Sequence, residues 1–336
     1  MKINAWAAPN KGGPLIVERY GVEPHQGQVV IDVDSCSLTR GDVRFIDNYW
    51  GDTKYPLVTG LEVMGRVREN LGEQRRFKPG DVVGVGYQVG ACFACEYCKA
   101  GKEQFCAKQQ LIPFQAKGGL ADVIVVDERF VFGIPKNLQT PEATPLLCAG
   151  LTVYTPIHEA GLAMGASVAV VGLGSLGHLA VLFLVAMGCK VTAFTHSDRK
   201  VAVAKELGAE VVITDTEPAP ERAFDFIISC AADGVDWERY IRALKPTGTL
   251  CIVGLPTKPV SFAPELLADY AARCVVGSYI GSRRDMEAML DFAAKHHILA
   301  KAKIYPMQDI NIAVQDMREG KVDFSAVLTN KITKSP

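Results

Sequence analysis

Over the first 145 residues, apolar positions fall in short β-branched runs, and Gly and Pro mark the gaps between them. Residues 28–33, 82–85 and 121–126 are such runs, and the turn Lys78-Pro-Gly-Asp81 leads into the second. Turn signals this dense between strand-period runs predict a compact β-barrel domain. Near residue 149 the pattern changes to strands alternating with helices. Strands are expected at 167–171, 190–194, 210–213, 225–228, 249–253 and 274–280. An apolar helix running to Met187 follows the first, and a helix over 198–207 ends at Gly208, where a C-cap glycine belongs. Further helices are expected around 237–244, from 264, and over 284–295. The fold class is α/β: a β-barrel domain from 1–148 and 282–336, and a doubly wound parallel sheet of six strands from 149–281.

Composition and charge narrow the possibilities. With 336 residues, 49% hydrophobic and 22% charged, there is material for two packed domains. A net charge of −1 provides no electrostatic footprint for a nucleic acid. The first ten residues read as a strand rather than an export signal. The apolar stretch 179–187 is too short to span a bilayer, so no membrane partner is expected. Ten cysteines without an export signal favour reduced thiols and a metal, in a cytoplasmic protein.

Four of those cysteines, Cys92, Cys95, Cys98 and Cys106, stand in the spacing C-x2-C-x2-C-x7-C. Spacers this short let thiolates converge on one tetrahedral ion, and four sulfurs close the coordination sphere of Zn²⁺. A closed site is structural. Two disulfides would need an oxidising compartment; an iron–sulfur cluster is the sharper rival, because it too is held by closely spaced cysteines.

Val171-Gly-Leu-Gly-Ser-Leu-Gly177 fits G-x-G-x-x-G, follows a strand and opens a helix. Gly172 permits the tight turn, Gly174 lets a pyrophosphate approach, and Gly177 lets helix and strand pack closely, with Ser175 and Leu176 between the last two. The pyrophosphate would rest on the helix N-terminus. An NAD site places an acid about 20 residues further on. Here the second strand ends in Thr195, His196 and Ser197, followed by Arg199 and Lys200, which suits the 2′-phosphate of NADP. Asp198 reads as a helix start.

These segments together resemble the zinc-containing medium-chain dehydrogenase/reductases, in their cinnamyl-alcohol-dehydrogenase-like, NADP-dependent branch. The resemblance runs nearly end to end. It includes Tyr55-Pro-Leu-Val-Thr-Gly-Leu-Glu-Val-Met-Gly-Arg66, the four-cysteine lobe, Pro145-Leu-Leu-Cys-Ala-Gly-Leu-Thr-Val-Tyr154 and the Gly-rich turn through His178. Phe194-Thr-His-Ser, Ile252-Val-Gly-Leu-Pro256 and Gly277-Ser-Tyr-Ile280 extend it. It implies a GroES-like barrel domain, a Rossmann domain and a substrate cleft between them. It also places Gly254, Ser278 and Ile280 near the cofactor, and makes the chain a homodimer through the last Rossmann strand.

Active members of that branch hold a second, catalytic zinc. Its ligands come from a Cys-His-Ser/Thr-Asp segment, a Gly-His-Glu segment and a later Cys. With Asp42 in register, this chain has Thr39 at the first ligand position, Arg40 next and Gly41 at the proton-relay hydroxyl. The ligand His is Leu61, and only Glu62 and Cys148 remain. A catalytic zinc normally takes three protein ligands and a water. Using Cys36 instead would misplace Asp42 and still leave Leu61. The expectation is one structural zinc and no catalytic one.

Without a metal to stabilise alkoxide charge, a substrate that is already electrophilic is favoured: an enone, a quinone or an iminium ion. Thr39 and Arg44 are the candidate catalytic residues, as electrophilic helpers, and Tyr49 is a third candidate. Arg44 holds the position of a relay His in the family, and a cation there would steady an enolate oxygen; a surface or phosphate-binding Arg is the plainer reading. Arg40 is expected at the cofactor pyrophosphate, compensating for Ser325 where the family often has an Arg. The competing readings are a zinc alcohol dehydrogenase with unusual ligation and a non-catalytic NADPH-binding sensor or scaffold.

Overall fold

The strand Gln28–Leu38 organises the first part of the chain. Its Val, Ile and Leu side chains are buried along nearly its whole length, as β-branched and apolar residues on a covered pleated surface are expected to be. One edge pairs antiparallel with Glu62–Asn70. The other edge is shared: residues 28–32 pair with Val123–Asp127, and residues 35–38 with Ser325–Thr329. Register shifts between Val30 and Ile31, and again between Val33 and Ser35, bend the strand so that it can serve two partners. Gly65 faces this bend, where a Cβ would lie 2.0 Å from the Asp32 carbonyl oxygen, so only glycine fits.

In this computed structural model residues 1–115, 117–195, 198–214, 217–268 and 270–330 are described. The chain divides into two units, Met1–Cys148 with Ser282–Pro336, and Ala149–Gly281. The main sheet of the first unit runs Ala302–Pro306, Ser325–Thr329, Gln28–Leu38, Glu62–Asn70, Val82–Val85 and Phe132–Gly133, with Val123–Asp127 joined to the third of these. The chain re-enters this unit after Gly281 through the helix Arg283–His296. Ser282 caps that helix with Asp285 in a reciprocal capping box.

The second unit is a six-stranded, wholly parallel sheet. Its order from one edge is Val211–Thr214, Lys190–Thr195, Ser167–Val171, Phe224–Ser229, Leu244–Ile252 and Cys274–Gly277. In chain order that is 3-2-1-4-5-6, the doubly wound arrangement with a switch point between the first and fourth strands. Two sequence expectations are corrected here. The helix expected over 198–207 is a 3₁₀ turn, Asp198–Lys200, followed by the shorter helix Val201–Glu206; Gly208 follows it at φ +99°. The last strand stops at Gly277 rather than continuing to Ile280, because pairing ends with Ile252 opposite Gly277. Ser278 then turns its N–H onto the Ile252 carbonyl. Among the described residues, no helix is long and apolar enough to cross a membrane.

Glu103 joins two distant parts of the first unit. Its buried carboxylate accepts the backbone N–H of Arg283 at 2.9 Å and the Arg283 Nε at 2.6 Å. A negative charge at the first turn of Arg283–His296 also complements the helix dipole. Glu103→Ala is expected to cost about 1–3 kcal/mol, since it strands a half-buried guanidinium and an N-terminal N–H. A urea titration reads this as a lower midpoint at unchanged slope; an unmoved midpoint would show that the pair carries no stability.

Candidate active site and metal lobe

The sulfurs of Cys92, Cys95, Cys98 and Cys106 all lie within 4.8 Å of one another, with Cys92 and Cys98 at 3.9 Å. A tetrahedral zinc with Zn–S bonds near 2.3 Å separates its sulfurs by about 3.8 Å. The four cysteines are free thiols rather than disulfides, and their spacing suits a single ion rather than a multi-atom cluster. Backbone N–H groups already point at the sulfurs. Ala94 and Cys95 donate to Cys92 at 3.5 and 3.4 Å, while Cys92 and Lys108 donate to Cys106 at 3.5 and 3.4 Å. The N–H groups of Ala94 and Cys95 draw the Cys92 thiol down to about 6. Burial, helped by the neighbouring thiols, pushes Cys98 up to about 12. A divalent cation at the centre would let all four ionise together. The donor set therefore fits zinc. Phe93, at φ +53°, lies beneath the guanidinium of Arg129 at 3.7 Å and that of Arg283 at 5.1 Å, which fastens the lobe to its unit.

The Gly-rich turn has the geometry its sequence implies. Gly172 stands at φ +87°, and its N–H bonds the Phe194 carbonyl at 3.0 Å. Gly174 faces open space, with nothing within 4 Å of the point where a Cβ would stand, so a ligand can reach the backbone. A Cβ on Gly177 would sit 1.9 Å from the Gly172 carbonyl oxygen, so helix and strand can meet only through glycine. Ser175 begins the helix Ser175–Ala186, and Leu176 is half-buried beside it. His178 is buried with Nδ1 2.9 Å from the Gly174 carbonyl, so it serves the turn. Gly254 backs onto Ala231, whose atoms also confront Gly172, so these residues line the switch point together. Ser278 and the buried Ile280 follow the last strand.

Thr195 is buried at the end of the second strand. Lys200 reaches back to the turn, its Nζ donating to the Leu173 carbonyl at 2.6 Å. Ser197, like His196, lies outside the described residues. Ser229, which no sequence pattern singles out, ends the fourth strand fully buried, and its Oγ has no hydrogen-bond partner among the described residues. Serines in apolar runs carry no signal of this kind until the strand order is known.

In the first unit the departures from the family pattern converge. Asp42 is fully buried. Its Oδ2 accepts the N–H and the hydroxyl of Thr39 at 2.7 and 2.6 Å, and its Oδ1 accepts the Thr59 hydroxyl at 2.6 Å and the Gly60 N–H at 2.8 Å. Burial raises the Asp42 carboxyl above its usual range, and the donors of Thr39, Thr59 and Gly60 pull it back. Thr39 is thus the N-cap of the helix Arg40–Ile46, with its hydroxyl proton committed to Asp42. The electrophilic helper expected at Thr39 is therefore a hydroxyl that already donates to Asp42.

Leu61 is buried, and its Cδ1 lies 3.5 Å from where a side chain on Gly41 would begin; the Thr39 hydroxyl is 3.2 Å from the same point. An apolar side chain packs where the family pattern has an imidazole. Cys36 is fully buried, and burial together with the charges of Asp42 and Glu62 holds its thiol well above the usual range. Among the described residues, the four-cysteine lobe is the one group of three or more Cys, His, Asp and Glu able to share an ion; Glu62 and Cys148 do not assemble one.

Arg40 is exposed in the first turn of the helix. Ser325 is buried within its strand. Arg44, one turn beyond Arg40, lies over the rings of Tyr49 at 4.9 Å and Trp50 at 5.9 Å. Trp50 and Phe114 were not singled out from the sequence, because only the fold brings Phe114 to the ring of Phe45 that Trp50 also meets.

Two substitutions separate packing from ligand approach at the turn. Gly177→Ala is expected to cost about 1–3 kcal/mol through overpacking, seen as a lower thermal midpoint. Gly174→Ala, facing open space, should leave that midpoint unmoved and weaken dinucleotide binding in a fluorescence titration. Equal stability loss in both would refute the division of roles.

Comparison with known proteins adds to this geometry. Residues 25–136 match the family described as an alcohol dehydrogenase GroES-like domain, and residues 175–295 match zinc-binding dehydrogenase. An aldehyde reductase of Synechocystis is 36% identical over 98% of this chain and 99% of its own length. The solved structure of a cinnamyl alcohol dehydrogenase from Sorghum bicolor superposes with a TM-score of 0.93 at 34% identity, covering 98% of each chain. A cinnamyl alcohol dehydrogenase from Helicobacter pylori, solved with NADP(H), gives 0.91 at 31% identity over 99% of each chain. A dinucleotide turn at the switch point of a 3-2-1-4-5-6 sheet, in a chain that also carries a GroES-like unit with a four-thiolate lobe, agrees with these matches: the chain belongs to the zinc-containing medium-chain dehydrogenase/reductases, in their cinnamyl-alcohol-dehydrogenase-like branch.

Proposed function

We propose that this chain is an NADPH-dependent reductase of an acceptor that is already electrophilic, a conjugated C=C or a C=N bond, and that it works without a catalytic zinc. Membership of the family makes it an oxidoreductase of the alcohol-dehydrogenase type. The finer reading rests on one observation above all: Leu61 packs toward Gly41 beside the Thr39 hydroxyl, leaving no set of ligands there for a second ion. Reduction of a plain aldehyde develops alkoxide charge that such an ion would stabilise by several kcal/mol. A conjugated acceptor spreads the same charge over its own oxygen, and an iminium nitrogen is neutralised by the hydride itself.

The nicotinamide supplies the hydride; the protein supplies position and electrostatics. Gly172, Gly174, Ser175, Leu176 and Gly177 would cradle the pyrophosphate, with Gly254, Ser278 and Ile280 toward the nicotinamide end. Thr195 and Lys200, with Ser197, take the adenosine ribose and its 2′-phosphate. The NADP(H) of the Helicobacter pylori relative supports that choice. For a conjugated carbonyl, hydride addition to the β-carbon would move the π electrons to oxygen and the enolate would take one proton from water; for an iminium ion the electrons would go to nitrogen and no proton would be needed. Gly41 leaves no side-chain hydroxyl to relay a proton. Zinc at Cys92, Cys95, Cys98 and Cys106 is structural. The exposed edge strand Cys274–Gly277, with Val276 uncovered, supports a homodimer formed by pairing with its symmetry mate.

The purified protein is expected to hold one zinc per chain, to prefer NADPH to NADH, and to lose that preference on Thr195→Asp, which sets a carboxylate against the 2′-phosphate. An NADPH-consumption screen over enones, quinones, cyclic imines and aldehydes should show turnover on the first three classes that survives brief chelation. Fast, chelator-sensitive reduction of cinnamaldehyde with two zinc ions per chain would establish the zinc-dependent reading instead. Nucleotide binding without turnover on any class would leave a sensor.

A further inference from the structure

Arg44 projects from the helix Arg40–Ile46 into a group of aromatic rings that the reductase reading leaves without a role. Tyr49, Trp50 and Phe114 are 49%, 40% and 41% exposed, high values for large rings in one neighbourhood. They form a connected set. Phe45, buried beneath them, meets Trp50 with ring centroids at 4.8 Å and Phe114 at 5.4 Å, and Tyr49 meets Trp50 edge-on at 5.7 Å.

The loop that carries two of these rings is held firmly. The Thr53 hydroxyl donates to the Phe45 carbonyl at 2.9 Å, and the Thr53 N–H donates to Asn48 Oδ1 at 3.0 Å. Tyr55 donates to the Ile46 carbonyl at 2.8 Å, and the Tyr49 N–H bonds the Arg44 carbonyl at 2.9 Å. Rings presented on a pinned loop lose little entropy when a ligand docks.

The charge is also uncompensated. Asp42 is enclosed by its four donors, and Asp47 is taken by Arg318 at 2.5 Å. Asp52, in the same loop, makes no ion pair with Arg44, and among the described residues no carboxylate does. Stacking on Tyr49 and Trp50 occupies the face of the guanidinium and leaves its N–H edge available, the edge that pairs with a carboxylate through two parallel hydrogen bonds. A cation already covers the rings, which excludes a cationic ligand. An anion on a planar apolar body complements the set, its charge to Arg44 and its apolar surface to the partly exposed rings.

We propose that Arg44, Tyr49, Trp50 and Phe114 form a recognition site for an anionic group on a planar, unsaturated body, and that in the reaction this group is a carboxylate carried by the acceptor. The substrate class becomes an aryl or similarly conjugated acceptor bearing an acid away from the bond being reduced. This assigns Arg44 to binding rather than to the enolate oxygen, and it rests on the reductase reading only for the word acceptor. The anion itself has two sources, the acceptor's carboxylate and a phosphate of the cofactor, and the measurements separate them.

Calorimetry on the protein saturated with NADP⁺ compares trans-cinnamate with methyl cinnamate, and needs no turnover. Cinnamate is expected to bind at least tenfold more tightly than the ester. Arg44→Gln should abolish that ratio, Arg44→Lys should restore part of it, and Trp50→Ala should weaken both ligands alike. The affinity for NADPH should be the same in Arg44→Gln as in the parent protein. Equal binding of acid and ester, a preference that survives Arg44→Gln, or a loss confined to NADPH affinity would each overturn the assignment, the last by giving the anion to the cofactor. In turnover, 4-carboxybenzylideneacetone should surpass its methyl ester in kcat/KM, with Arg44→Gln levelling the two. Carboxylate-selective binding through Arg44 without reduction of either enone would keep this site and remove the reductase reading; reduction without selectivity would do the reverse.

Discussion

A carboxylate shut away from water must be surrounded by donors, and the arrangement around Asp42 follows from that requirement. Thr39 caps the helix Arg40–Ile46 from one side, and Thr59 and Gly60 close the other, so one side chain joins the helix to the segment leading into Glu62–Asn70. That junction sets where Leu61 points. It also commits the Thr39 hydroxyl and brings Gly41 against Leu61. Where the family pattern has a ligand, a relay hydroxyl and an imidazole, this chain has a helix cap, a glycine and a packed leucine. Asp42 itself stays, because removing it would leave four donors without an acceptor.

Two other parts of the chain are similarly over-determined. At the dinucleotide turn Gly177 is required by its contact with the Gly172 carbonyl, while the open space at Gly174 has no packing purpose and is left for a ligand. In the metal lobe four sulfurs lie close together, two of them, Cys92 and Cys106, held by backbone N–H groups, and Glu103 and Phe93 secure the lobe against Arg283 and Arg129. Each uses local backbone geometry to prepare for a partner, which keeps the cost of binding low. The rings around Arg44 follow the same logic with a pinned loop in place of a turn.

Much of this was legible from residue order. The cysteine spacing, the three glycines and the alternation of strands with helices depend on neighbours within a few positions, and local geometry acts at that range. The strand 167–171 was expected where it lies. The helix expected over 198–207 was not, because a tight 3₁₀ turn and a shorter helix share one stretch of helix-forming residues. The end of the last strand was overshot for a related reason: the stretch 275–280 is rich in strand-forming residues on both sides of Gly277 and Ser278, and only the length of its neighbour decides where pairing stops.

Sequence alone therefore determined the two-part α/β organisation, the four-thiolate lobe, the dinucleotide turn and the departures from the family pattern at Thr39, Gly41 and Leu61, since each is written in short spacings or in single residue identities. The tertiary structure decided what surrounds them. That Leu61 meets Gly41, that the Thr39 proton belongs to Asp42, that Lys200 reaches the Leu173 carbonyl, and that Arg44 shares a surface with Trp50 and Phe114 are contacts between separated segments. Such contacts depend on where the chain crosses itself, which the order of residues does not display until the sheet is built.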